Sequence, residues 1–145
     1  STAIKEKHAD ADMTGVTAME TIVKEDTGKY TYDAKTMPGI SATLTNAIEL
    51  KVVPNETYTD VTVKVGKEII EKNGNGAYAF YATDLYNEIT FTFTGAEGTE
   101  PLTATTSLVQ FLNAYAGTDY EAQATATAQY LYAARNFCLK NQTNA

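Results

Sequence analysis

The sequence lacks tryptophan and has one cysteine, one histidine and one arginine among its 145 residues. The single Cys138 excludes an intrachain disulfide. The single His8 excludes a metal site built from several imidazoles, and a Ser-His-Asp or Cys-His catalytic centre would have to recruit that same residue. Without tryptophan, a flat platform for crystalline polysaccharide is not expected. No run of about 18 apolar residues is present, so no membrane span is predicted.

The charge is strongly acidic, with a formal net charge of −7 and an isoelectric point of about 4.6. The ten lysines are scattered along the chain, and the one arginine is Arg135. Proteins that bind nucleic acid need clustered Lys and Arg to neutralise phosphates. We therefore expect no nucleic-acid partner.

The C-terminal stretch 106–141 predicts two helices against which the rest of the chain packs. Ser107 with Gln110, and Thr118 with Glu121, have the spacing of capping boxes. Gly117 between them predicts a helix stop and a short turn. Apolar side chains at helical spacing form the expected inner stripe: Leu108, Phe111, Leu112, Tyr115, Tyr120, Ala124, Leu131, Ala134, Phe137 and Cys138. Cys138 is thus expected to be a buried thiol. Truncation of Leu131 or Phe137 to alanine is expected to lower the free energy of unfolding by about 2–5 kcal/mol.

The stretch 29–105 is β-rich, consistent with the 24 threonines of the chain. Alternating apolar and polar residues predict short strands at 29–35, 40–54 (one bent strand or two), 61–65, 68–72, 77–82, 89–94 and 102–104. Asn73-Gly74-Asn75-Gly76 is the strongest turn, of the kind that joins hairpin strands. Residues 83–87 predict a turn or a helical corner.

Strands grouped first and helices grouped last are typical of an α+β domain. We predict one domain over residues 1–145, with an antiparallel β-sandwich-like sheet and a C-terminal two-helix hairpin packed on it. Residues 1–28 stay unassigned, with 16–24 open between helix and strand. The β-rich part spans 29–105 and the helical hairpin 106–141.

From Gly39 to Cys138 the chain resembles a module of large cell-surface proteins from gut and rumen Firmicutes. Patterns of the kind "sLtlgnaIelk", "yafyateLyd-It-t", "tySv-dYl" and "aallnYGaAAq-yF" recur in that family. Four segments of this chain match them in that order: 41–50, 79–90, 106–112 and 127–137. Leu131-Tyr132 stand where the family has Tyr-Gly. The resemblance covers about two thirds of the chain and implies a secreted or wall-associated β-rich domain of a Gram-positive bacterium, without a catalytic motif.

Acidic residues give no strong site. Asp10 to Gly15 has the D-x-D-x-x-G opening of a calcium loop, but the twelfth position, which should supply a bidentate acid, is Thr21. A solvated loop is the expected interpretation. Glu49, Asp84 and Glu88 lie near predicted strands, and nothing selects a pair of them for glycosidase chemistry. We predict no enzyme, no metal and no cofactor.

Tyrosines are the most suggestive side chains, because an exposed phenol ring can stack on a sugar while polar neighbours fix its orientation. Tyr81 is the leading candidate, since it alternates away from Tyr78 and Phe80 and should face outward. Tyr86, Tyr30 and Tyr32 complete the predicted ligand-binding set, although strand tyrosines also serve as ordinary packing residues.

Two functions follow from these observations. The first is a non-catalytic structural or protein-interaction module of an extracellular or cell wall-associated bacterial protein, with neighbouring domains or surface proteins as partners. The alternative is a carbohydrate-binding module that uses exposed tyrosines on the sheet, with polysaccharide as the ligand. An exposed tyrosine row favours the second, and a smooth polar surface favours the first.

Overall fold

A computed structural model describes residues 16–44 and 48–144 of the chain. In chain order the helices and strands are α1 (Met19–Lys24), β1 (Ile40–Leu44), β2 (Ile48–Val52), β3 (Asp60–Val65), β4 (Glu68–Ile70), β5 (Tyr78–Phe80), β6 (Ile89–Thr94), β7 (Leu102–Thr106), α2 (Leu108–Asn113) and α3 (Glu121–Asn144). A short 3-10 turn at Ala82–Asp84 occupies the predicted helical corner. In the N-terminal part, which the sequence left open, 19–24 is helical.

The strands form two antiparallel sheets. A three-stranded sheet has the order β1-β2-β5, and a four-stranded sheet has the order β4-β3-β6-β7. One apolar cluster takes side chains from both sheets and from the helices, including Leu50, Phe80, Phe91 and Leu112. The predicted α+β class, with a sandwich-like β part and packed C-terminal helices, is confirmed.

Strand β6 shows how the sequence pattern builds this core. Ile89, Phe91 and Phe93 are fully buried or nearly so, and the threonines between them lie half-buried on the other face. Because side chains alternate across a strand, the period of two sends each apolar residue to one face. The rings of Phe91 and Phe93 are stacked at 6.1 Å.

The helices end and begin close to the predicted signals. The Ser107 hydroxyl accepts the Gln110 N–H at 3.0 Å, as an N-cap should. Gly117 has a φ of 81°, which glycine adopts without a steric penalty. Helix α3 contacts α1, α2 and the turn at 82–84. Within 16–44 and 48–144, no helix has the length and apolar character to span a membrane.

The strand predicted at 29–35 was wrong. Its N–H groups do not form a ladder: those of Thr31 and Tyr32 both donate to the Thr105 carbonyl, at 3.1 and 2.8 Å. The chain then turns at once, with the Asp33 carboxylate accepting the Lys35 N–H at 2.9 Å. The alternation nevertheless describes burial correctly, because Tyr32 packs on Phe91 while Thr31 is exposed.

The turn at Asn73–Gly76 does not join a hairpin. It carries the chain from β4 in one sheet to β5 in the other, where β5 pairs with β2. The Asn73 carboxamide oxygen accepts the N–H groups of Asn75 and Ala77, at 2.9 and 3.1 Å, which closes the turn locally. Burial decides the pairing, because the register of Ile48 with Phe80 joins two fully buried side chains.

The predicted burial of the last helical turns was also wrong. Leu131 is 1% exposed, as expected, but Phe137 is 67% exposed and Cys138 is exposed as well. Helix α3 runs past the body of the domain, and the side chains of residues 136–141 are all exposed. Apolar spacing alone could not show where the partner surface stops.

Gly95, directly after β6, allows a close backbone approach. A Cβ atom at this position would lie 2.0 Å from the carbonyl oxygen of Thr57. The connection 55–59 crosses the chain here, and the Thr59 N–H donates to the Thr94 carbonyl at 2.9 Å. Only glycine leaves space for this crossing.

Candidate functional site

An open groove lies between the segment 30–35 and helix α2 with the turn that follows it. Its volume is about 630 Å³, within the range of about 300–1,000 Å³ typical of small-molecule sites. It is lined by Tyr30, Tyr32, Asp33, Ala34, Lys35, Ile40, Thr106, Gln110, Phe111, Asn113, Ala114, Tyr115 and Thr118. We call it the aromatic groove.

Aromatic rings follow one another along this groove. The ring of Tyr32 lies 6.5 Å from that of Phe111, and Phe111 meets Tyr115 edge-on at 5.8 Å. Tyr115 in turn meets Tyr120 at 6.2 Å, and Tyr120 is 61% exposed. Phe111 is 7% exposed, and Tyr32 and Tyr115 on either side of it are half-buried. The series therefore runs from the core at Phe111 to the surface at Tyr120.

Polar side chains stand at the rim of the aromatic groove. Asp33 and Lys35 bring one negative and one positive charge, so the rim is close to neutral in a chain of net charge −7. Gln110 and Asn113, both half-buried on α2, add carboxamides that can donate and accept hydrogen bonds. This combination of ring faces with amides and a carboxylate suits a neutral, hydroxyl-rich ligand.

A hydrogen-bond network fixes the wall of the groove. The Asp26 carboxylate accepts the Tyr30 hydroxyl at 2.6 Å and the Ser107 hydroxyl at 2.5 Å. Burial, reinforced by this bond to Asp26, raises the pKa of Tyr30 to about 12. The Tyr32 hydroxyl donates to the Pro38 carbonyl at 3.3 Å, and burial raises the pKa of Tyr32 as well. Both phenols therefore stay neutral. Tyr30 connects this segment through Asp26 to Ser107 at the start of α2, and Tyr32 connects it to Pro38.

Tyr81, the leading sequence candidate, lies in a different place. It is 62% exposed, as its alternation predicted, and it lines an open cleft of about 530 Å³ with Lys67, Glu68, Asp84 and Asn87. The Tyr81 N–H donates to the Asp84 carboxylate at 3.0 Å. Its ring is available for stacking, but the cleft has one aromatic residue where the aromatic groove has several.

Tyr86 lies at the interface between helices. Its hydroxyl donates to the Ile22 carbonyl at 2.8 Å, and the Glu25 carboxylate lies 3.1 Å away. The Arg135 guanidinium stands over the ring at 4.8 Å, close enough for a cation–π contact. Burial is the main cause of a raised pKa at Tyr86, and the hydrogen bond to the negatively charged Glu25 raises this pKa further. These contacts join α1, the 82–84 turn and α3.

The four predicted tyrosines are thus divided among three places. Tyr30 and Tyr32 line the aromatic groove, Tyr81 lies in its own cleft, and Tyr86 packs between helices. Sequence reasoning missed the other half of the groove, namely Phe111, Asn113 and Tyr115. Both rings were assigned to a buried helical stripe. Phe111 is buried, at 7% exposed, as predicted, whereas Tyr115 follows the end of α2 at Asn113 and is half-buried at the groove.

Metal ligands and the buried serine of α2 were the remaining candidates for a site among the described residues. Among them, no three His, Cys, Asp or Glu side chains come together in a way that could hold a metal ion. Ser107 is fully buried and its hydroxyl is occupied by Asp26 and by the Gln110 N–H. His8 and the segment from Asp10 to Gly15, which was expected to be a solvated loop, lie outside the described residues.

Comparison of the chain with protein-family models, with curated proteins and with solved structures gave no match.

Proposed function

We propose that this chain is a non-catalytic binding module of a secreted or cell-surface bacterial protein, and that the aromatic groove binds a neutral oligosaccharide. The observation that carries the proposal is the row of rings from Tyr32 through Phe111 to Tyr115, bordered by the carboxamides of Gln110 and Asn113. Sugar rings offer C–H faces that pack on aromatic rings and hydroxyls that pair with amides and carboxylates.

Charge supports a neutral ligand over an anionic one. The groove contributes one acid and one base, Asp33 and Lys35, and the chain as a whole carries −7. A uronic-acid polymer would meet this negative field without a cluster of cations to offset it. Neutral glucans, mannans and xylans are the appropriate probes.

Affinity electrophoresis through gels that contain these soluble polysaccharides tests the proposal. We expect at least one neutral polysaccharide to retard the chain. The substitutions Asn113→Ala and Tyr115→Ala should each lower the apparent affinity, calculated from the retardation, at least tenfold. Asn113→Ala changes a rim side chain and leaves the rings in place, so it separates ligand contact from folding.

Tyr81→Ala is the matched control, because it removes an exposed tyrosine in a separate cleft. Retained binding in this variant, together with reduced binding in Asn113→Ala and Tyr115→Ala, would locate the ligand in the aromatic groove. Loss of binding in Tyr81→Ala with full binding in Asn113→Ala would move the site to the Tyr81 cleft. Free migration in every neutral polysaccharide would contradict carbohydrate binding.

A protein-interaction role is the second candidate, and the exposed end of α3 favours it. Tyr130 and Phe137 lie seven residues apart on this helix and are 54% and 67% exposed. That spacing places them on one face, with the exposed Ala133 between them. Exposed aromatic side chains on one helix face are typical of surfaces that a partner covers. Slower deuterium uptake at 130–137 when a neighbouring domain is added would support this role.

A further inference from the structure

A second cleft lies beside the aromatic groove, between strand β1 and the turn that leads from α2 to α3. Its volume is about 450 Å³. It is lined by Ile40, Ser41, Ala42, Leu44, Tyr115, Tyr120 and Gln123. We call it the β1 cleft. Because Ile40 and Tyr115 also line the aromatic groove, the two depressions share a border and form one extended surface.

Contacts at the start of β1 join the walls of the two depressions. The Tyr32 hydroxyl donates to the Pro38 carbonyl at 3.3 Å and lies beside the Ile40 N–H. The first residue of β1 is therefore attached to a ring that lines the aromatic groove. From Ile40 the strand continues along the β1 cleft, where Ala42 and Leu44 are partly buried. Apolar surface thus runs from one depression into the other.

Local hydrogen bonds fix the two tyrosines on the opposite side of the β1 cleft. The Thr118 hydroxyl donates to the Tyr115 carbonyl at 2.6 Å, and the Tyr120 N–H donates to the Thr118 hydroxyl at 3.2 Å. In the same turn, the Gly117 N–H donates to the Glu121 carboxylate at 3.1 Å. Because the turn is held in this way, a ligand would not have to order it on binding, which lowers the entropic cost of association.

The lining of the β1 cleft continues the chemistry of the aromatic groove. Tyr120 is 61% exposed and offers its ring for stacking. The exposed Ser41 and Gln123 add a hydroxyl and a carboxamide, which can both donate and accept hydrogen bonds. Among the described residues that line this cleft, none carries a charge. The cleft therefore suits the same neutral, hydroxyl-rich ligand as the aromatic groove.

We propose that the aromatic groove and the β1 cleft form one binding site for a linear, neutral oligosaccharide, with Tyr115 at the junction and Tyr120 on the added part. This inference rests on the proposed function and extends it to the length of the ligand. If each of the eleven heavy atoms of a hexose unit takes the share of one water molecule, about 30 Å³, the unit occupies at most about 330 Å³. The aromatic groove, at about 630 Å³, then has space for about two units, and the β1 cleft, at about 450 Å³, has space for about one more.

Isothermal titration calorimetry of the whole chain tests the extended site, with neutral gluco-, manno- and xylo-oligosaccharides from the disaccharide to the hexasaccharide as probes. We expect the affinity to rise about tenfold from the disaccharide to the tetrasaccharide and then to level off. Tyr120→Ala should lower the affinity for the tetrasaccharide about tenfold and leave that for the disaccharide unchanged, because the disaccharide fits within the aromatic groove. Tyr120→Phe keeps the ring and should retain the affinity for the tetrasaccharide.

Tyr81→Ala is the matched control, because Tyr81 is 62% exposed, nearly the same as Tyr120, and lies in a separate cleft. This variant should bind every oligosaccharide as the unsubstituted chain does. If thermal unfolding shows that Tyr120→Ala is not folded, Gln123→Ala gives the same test from an exposed position on α3.

Two kinds of failure are distinguishable. Tetrasaccharide binding that is no tighter than disaccharide binding, or that is unchanged in the folded Tyr120 and Gln123 variants, would overturn the extended site and leave the aromatic groove as the binding site. An absence of binding at every length would overturn the proposed function and this inference with it.

Discussion

The Ser107 hydroxyl donates a hydrogen bond of 2.5 Å to the Asp26 carboxylate, across 81 residues of sequence. The same hydroxyl caps α2 by accepting the Gln110 N–H. Asp26 also accepts the Tyr30 hydroxyl, so one carboxylate connects the loop after α1, the wall of the aromatic groove and the first turn of α2.

Asp26→Asn should destabilise the fold by about 1.5–3 kcal/mol, the usual range for hydrogen bonds to a charged group. An amide cannot accept from Ser107 and Tyr30 on two oxygens, so one donor loses its partner. Urea unfolding followed by circular dichroism measures the change. Asp119→Asn, at an exposed position in the turn before α3, is the control and should change stability by under about 0.5 kcal/mol. Equal effects of the two substitutions would contradict the role of Asp26.

Alkaline pH should weaken the fold through Tyr30. Its pKa is raised to about 12 in the folded chain, above the value of about 10 for an unfolded tyrosine. A raised folded pKa means that the neutral phenol stabilises the native state. The contribution is complete below about pH 10 and is lost as the pH rises toward about 12.

Denaturant unfolding at a series of alkaline pH values measures this loss, and Tyr30→Phe isolates it. Phenylalanine does not ionise, so the variant should be less stable at neutral pH and should lose less stability between about pH 10 and about pH 12. The other tyrosines ionise in both proteins, so their contribution to the pH dependence of stability cancels in the comparison. An identical pH slope in the two proteins would show that Tyr30 does not contribute.

Two truncations in α3 should differ sharply. Leu131→Ala removes a side chain that is 1% exposed and should cost about 2–5 kcal/mol. Phe137→Ala removes one that is 67% exposed and should cost under about 0.5 kcal/mol. Chemical unfolding of both variants gives the comparison. A large loss in Phe137→Ala would indicate that this end of the helix is packed against something in solution.

Gly95→Ala should be the most damaging single methyl addition. The new Cβ would lie 2.0 Å from the Thr57 carbonyl oxygen, so backbone must shift, and we expect a loss above about 2 kcal/mol. Gly39→Ala is the control, because nothing lies within 4 Å of its Cβ position. That change should be neutral or stabilising by up to about 1 kcal/mol, since it restricts the unfolded chain. Thermal unfolding of both variants distinguishes the two cases.

The alternation of apolar and polar residues predicted strands correctly where one face of the strand is buried along its whole length. Strand β6 was placed at Ile89–Thr94 because its alternation coincides with complete burial of one face. The segment 29–35 has a similar alternation but forms no ladder, since the β7 edge meets it only at Thr105. Pairing depends on a partner distant in the sequence, and a local period of two cannot indicate whether that partner is available.

The candidate site was half predictable for the same reason. Alternation identified Tyr30 and Tyr32, but it could not predict that they lie beside α2. That position depends on the hydrogen bond from Ser107 to Asp26, which joins residues far apart in the sequence. Tyr115 looked like a core residue while the helix was expected to continue to Ala116. The five residues from Asn113 to Gly117 contain the signal for an early helix end, because Asn and Gly favour helix termination.

The residues that flank α1 form hydrogen bonds with α3, which the ribosome makes last. The Thr17 carbonyl accepts from Gln129, 112 residues later, and Glu25 accepts the Tyr132 hydroxyl, 107 residues later. A ribosome that adds about 5–20 residues per second needs about 5–20 s to make the partner of a segment it has already finished. Helix α1 therefore cannot form these contacts until α3 has been synthesised. We expect the docking of α1 on α3 to be the last step when the chain folds during synthesis.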